Sequence, residues 1–132
     1  MTAGLAPGLV SGWLNTLRAA GSAYSAVAGT FIQLHTADPG AAGTTAVSVG
    51  STTRNSCTFA ASSSGSALAL SGTPTAWTNG GTSETLTHIS VWTASTSGTF
   101  LFSVALTTSK AWASADTYTQ LTLGVSLTPQ SA

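Results

Sequence analysis

The chain has 132 residues, of which 42% are hydrophobic and 5% charged, where an average soluble domain is about one quarter charged. That length suits one core rather than two. The three basic and three acidic side chains cancel to a formal net charge of zero, so no basic stripe exists to neutralise phosphates, which argues against a nucleic-acid partner. So neutral a surface offers little electrostatic resistance to self-association; it points to packing against copies or partners, with a neutral, hydroxyl-covered monomer as the alternative.

Over residues 7–20, Leu9, Val10, Trp13, Leu14 and Leu17 recur at steps of three and four, which predicts a helix with one greasy side. Pro7 fits the first helical position and Gly21 the position just past the end, while Gly12 costs such a helix about 1 kcal/mol relative to Ala. The greasy side packs either on its own domain or on a neighbouring subunit, which makes Leu9, Trp13, Leu14 and Leu17 the candidate assembly contacts. No basic residue precedes this apolar part and Arg18 interrupts it, so it does not read as a secretory signal. No apolar run is long enough to span a bilayer, and synthesis in a cytoplasm without membrane insertion is expected. Residues 21–29 form a small-residue linker containing Tyr24. The expected organisation is therefore an N-terminal helical arm and linker over 1–28 and a β-domain over 29–132.

From residue 30 the period changes to two. Ile32 and Leu34 alternate with Gln33 and His35, and Asp38-Pro39-Gly40 supplies the turn that ends the strand. Residues 44–49 offer a short strand closed by Gly50. Over 52–60, Thr53, Asn55, Cys57 and Phe59 fall on one face and Arg54, Ser56 and Thr58 on the other. A Ser/Gly turn at 62–66 leads to an apolar strand at 67–70, and Trp77 stands in an extended piece before the turn Asn79-Gly80-Gly81. Residues 84–93 carry apolar side chains on both faces, as a central strand does. Phe100, Phe102, Val104 and Leu106 share one side of 99–106, which should form a hairpin with the preceding strand, and Lys110, Trp112 and Asp116 fall in the next connection. Finally, 118–127 sets Leu121, Leu123, Val125 and Leu127 on one face. Seven or eight short antiparallel strands at this spacing predict an all-β fold, a β-sandwich or jelly roll with a short N-terminal helix or arm.

The residues that carry chemistry are sparse. His35 and His88 each sit inside a strand without partners at ligand spacing, calcium-binding acidic loops are absent, and no metal or cofactor is expected. Asp38, Glu84 and Asp116 read as turn or strand-end residues rather than a paired-carboxylate site, and there is neither a nucleophile elbow nor a phosphate loop. No catalytic residue is assigned. Cys57, the lone cysteine, reads as a small apolar strand residue. Trp77, Trp112 and Tyr118 are the candidate surface aromatics: together with Trp92 they are either a sugar-stacking platform for a host-surface glycan or core and end-cap residues.

One resemblance extends over nearly the whole chain. It is carried by Phe31-Ile32-Gln33-Leu34-His35-Thr36-Ala37-Asp38-Pro39-Gly40, by Arg54 before Cys57-Thr58-Phe59, by Leu86-Thr87-His88-Ile89-Ser90-Val91-Trp92, and by Phe100-Leu101-Phe102 followed by Ala105-Leu106-Thr107-Thr108-Ser109-Lys110. In this order they resemble the small virion proteins of tailed bacteriophages described as tail fibre-like or minor structural proteins. The resemblance implies a non-enzymatic virion part made in the host cytoplasm, with other virion proteins and copies of itself as partners. The resemblance does not say which part; with the neutral surface and the greasy N-terminal face, the leading expectation is a capsid decoration (cement) or head accessory protein. A tail or tail-fibre component is the alternative, and a carbohydrate-binding module is the alternative of another class.

Overall fold

The computed structural model describes residues 3–17, 28–62 and 67–126. The ends of the expected helix at 18–20, nearly all of the linker with Tyr24, most of the Ser/Gly turn and Leu127 lie outside them. Among the described residues there is one helix, α1 (Pro7–Asn15), and nine strands. These are β1 (Phe31–His35), β2 (Asn55–Ser56), β3 (Phe59–Ala60), β4 (Ala67–Leu70), β5 (Trp77–Thr78), β6 (Glu84–Trp92), β7 (Phe100–Trp112), β8 (Thr117–Tyr118) and β9 (Gly124–Ser126). They form three antiparallel sheets in the orders β2-β1-β6-β7, β3-β4-β9 and β5-β8, an all-β sandwich.

The large sheet has two buried faces because β1 and β6 are paired residue for residue. Ile32 opposes Val91 and Leu34 opposes Ile89 on one face; Phe31 opposes Trp92, Gln33 opposes Ser90 and His35 opposes His88 on the other. The first face meets the β3-β4-β9 sheet, where Phe59 lies 6.3 Å from Phe102 between ring centroids and Leu70, Leu123 and Val125 join the same cluster. The second face is covered by residues 36–54. Here the tight contact is Gly43, whose φ of +73° and position against the Phe100 ring, where a Cβ would approach to 2.5 Å, leave room only for glycine.

Several elements differ from the periodicity. The run 52–60 is not one strand: β2 pairs with β1 and β3 with β4, so the chain crosses between sheets at Cys57 and Thr58. Residues 44–49 contribute only an isolated bridge, Val47 to His35. The run 118–127 is likewise split into β8 and β9, which leaves Leu121 71% exposed beside a buried Leu123. β7 extends through Lys110 and Trp112, which were expected in a connection. A register shift between Val91 and Trp92 makes Leu101 the extra residue on β7, and both Leu101 and Phe102 are buried. A larger irregularity follows: His88 pairs with Ala105 and Leu86 with Lys110, so residues 106–109 arch out opposite Thr87 alone.

The N-terminal segment is tied to this body. Leu5 bridges Phe102, the Ala6 amide donates to the Leu101 carbonyl (2.7 Å) and the Ser103 amide donates to the Gly4 carbonyl (2.8 Å), adding a short strand to the outer edge of β7. Ala6 and Leu9 are buried in the common core.

Candidate functional site

The second face of the large sheet carries a connected set of hydrogen-bonded polar side chains. The His35 ring is fully buried, with Nδ1 2.9 Å from the Thr45 carbonyl and Nε2 2.7 Å from the Ser90 hydroxyl. A carbonyl only accepts, so Nδ1 carries the proton and Nε2 accepts from Ser90, whose oxygen in turn accepts from Trp92 Nε1 (2.7 Å). Burial holds the His35 pKa below its ordinary value; the bond to the Thr45 carbonyl opposes this, and the facing His88 adds to it. The Arg54 guanidinium lies 3.6 Å over the Trp92 ring, with Nε donating to Gln33 Oε1 (3.2 Å) and a terminal nitrogen to the Ser97 carbonyl (2.6 Å). The Gln33 amide donates to the Thr52 carbonyl (3.2 Å).

A serine hydroxyl on a histidine nitrogen, with the other nitrogen held by an acceptor, is the arrangement of a base-activated nucleophile. Here Ser90 and His35 are both fully buried, and the indole N–H occupies the serine oxygen. The relay therefore has a structural use: it pins the covering segment to the sheet. Sequence reading missed it because no spacing links His35 to Thr45 and Ser90, and neither strand shows which segment will cover their shared face.

The acids and Asn79 are braces of the same kind. Asp38 Oδ1 accepts from the Gly40 amide (2.8 Å), as the turn reading expects. The Glu84 carboxylate accepts from the Ser48 hydroxyl and from the Val49 (3.2 Å) and Gly50 (3.1 Å) amides. Buried Asn79 donates to the Thr82 and Trp112 carbonyls. Asp116 caps its own turn through the Ala113 amide. Burial pushes the Cys57 thiol up to about 11, which keeps it protonated and unreactive. Among the described residues no three His, Cys, Asp or Glu side chains converge as a metal site would require, and no helix is long and apolar enough to cross a membrane.

The expected surface aromatics need correction. Trp77 and Tyr118 are directly paired across β5 and β8 with rings 6.1 Å apart, and Trp112 joins them through Asn79 and the Asp116 carbonyl. The three do come together, but Trp77 and Trp112 are each 1% exposed and Tyr118 is half-buried. Their N–H groups are spent on the Thr53 and Asp116 carbonyls, so they form core and not a sugar platform.

The four assembly candidates separate as well. Leu9 is buried in its own core, whereas Trp13, Leu14 and Leu17 are 37%, 60% and 81% exposed. One cleft of about 450 Å³ opens between the two larger sheets, lined by Leu70, Ile89, Val104, Leu106, Leu121 and Leu123 among others. None of the described residues that line it is charged, and Gln120 among them is engaged by the Tyr118 hydroxyl and the Thr122 carbonyl.

Among the described residues, His35, Glu84, Asn79 and Asp116 all bond to the protein's own loops and turns. Residues 9–128 match the model of the family described as podophage GP4 fiber I protein gp80, and the chain belongs to that family. No curated protein matches it. It is thus a bacteriophage structural protein of the tail-fibre-like kind, a component of the virion that associates with other virion components. Nothing in the match points to capsid decoration.

Proposed function

We propose that the chain is a building block of the phage tail fibre, in place of the capsid-decorating part expected from the sequence. The observation that supports this is the family match over residues 9–128, whose description names a fibre protein. The structure is compatible with such work. A sheet covered on both faces gives a stiff body, and a surface with three charges of each sign does not repel its neighbours. Attachment falls to α1, which reaches away from the buried Leu9 and presents Leu14 and Leu17 to a neighbouring fibre subunit or another copy.

Gold-labelled antibody against the chain, imaged on purified virions, should decorate the tail fibres; labels confined to the head would overturn the reading and restore the decoration alternative. Leu14→Asp with Leu17→Asp should lower incorporation into virions while leaving the melting temperature of the isolated chain unchanged. A double variant that incorporates normally removes α1 from the attachment surface.

A further inference from the structure

Segment 36–54 is fastened to the large sheet by two side chains, His35 and Glu84. His35 holds it through the Thr45 carbonyl, and Glu84 holds it through Ser48, Val49 and Gly50. Only the Ser90 bond requires the neutral ring; Nδ1–H donates to the Thr45 carbonyl in either protonation state. A second proton, on Nε2, would turn that nitrogen into a donor facing the Ser90 hydroxyl, whose oxygen already accepts from Trp92 Nε1 and whose hydrogen would lose its acceptor.

The surroundings compensate only in part: the Thr45 and Ala46 carbonyls favour the charged ring, but burial beneath segment 36–54 outweighs them, and the ring regains water only where that segment lifts. The groups facing the ring are His88, its partner across the β1-β6 ladder, and Arg54 from the covering segment, both basic. Among the described residues no carboxylate bonds it: Asp38 is turned to the Gly40 amide and Glu84 to residues 48–50. Imidazolium here would be a buried charge with two basic neighbours.

We propose that His35 is an acid-sensitive latch, whose protonation frees segment 36–54 from the polar face of the large sheet while the apolar face stays packed on the second sheet. The direction follows from linkage. The buried ring binds its proton less readily than a free histidine, so the latch is fully closed above about pH 6.5 and loosens as the pH falls from there towards the lowered pKa.

Hydrogen exchange on the full chain, corrected for intrinsic rates, tests this at about pH 7.5 and about pH 5. The reporters are the amides of Thr36, Thr45 and Ser48, which bond to the Ala46, Pro39 and Leu34 carbonyls. They should lose about tenfold in protection at the lower pH, while amides of the β6-β7 ladder keep theirs. Equal protection at both pH values, or loss in all strands together, overturns the proposal. His35→Gln, which cannot take the proton, should make the reporters indifferent to pH. His88→Gln covers the case in which that variant does not fold. Removing the facing base from a half-buried position should move the release to higher pH, and a midpoint that stays where it was counts against the latch.

Discussion

The two faces of the β2-β1-β6-β7 sheet are built from the same strands and closed by different forces. On one, Ile32, Leu34, Ile89, Val91 and Phe102 meet the second sheet through hydrocarbon. On the other, Gln33, His35, Ser90 and Trp92 are sealed under residues 36–54 by directional bonds from defined partners. The first tolerates any filling of similar volume, whereas the second depends on each donor finding its acceptor. A structural protein gains from the pairing: the apolar face supplies most of the stability, and the polar face fixes where one long loop lies.

The largest effect should come from the apolar face. Phe102→Ala removes a ring packed against Phe59 and should cost about 3–5 kcal/mol by urea unfolding, because the sheets cannot collapse onto the cavity. Ser90→Ala on the polar face should cost about 1–3 kcal/mol, since it strands both the Trp92 N–H and His35 Nε2 in a buried layer. Reversal of that order would mean that the polar face, and not the hydrocarbon one, carries the sandwich. Arg54→Met keeps the stem over Trp92 but loses the stacked guanidinium, and should cost about 1 kcal/mol. A loss near that of Phe102→Ala would show that Arg54 is the main fastening of the loop.

The same contrast explains what could be read from the chain alone. β1 and the first half of β7 announce themselves by alternation, β6 by apolar side chains on both faces, and the Asp38-Pro39-Gly40 turn by chemistry that is local. The split of 52–60 between two sheets, the arch at 106–109 and the burial of Trp77 and Trp112 are set by partners on other elements, such as Thr53 for the Trp77 N–H. His35 is the sharpest case. It alternates correctly with Leu34, yet its environment is made by Thr45 and Ser90, which no period connects to it.

Leu121 and Leu123 provide the finest test of that limit. Strict alternation over 118–127 places both on one buried face, but the chain between β8 and β9 is not a strand: Leu123 turns into the core and Leu121 stands 71% exposed at the rim of the cleft. Burial, not spacing, should decide the energetics. Leu123→Ala ought to cost about 2–5 kcal/mol, as truncations in a packed core do. Leu121→Ala should change the urea midpoint by no more than the equivalent of about 0.5 kcal/mol, the range of a surface substitution. If the isolated chain instead loses comparable stability in the two variants, residues 119–123 continue the pleat that the sequence suggests, and the cleft beside them is closed.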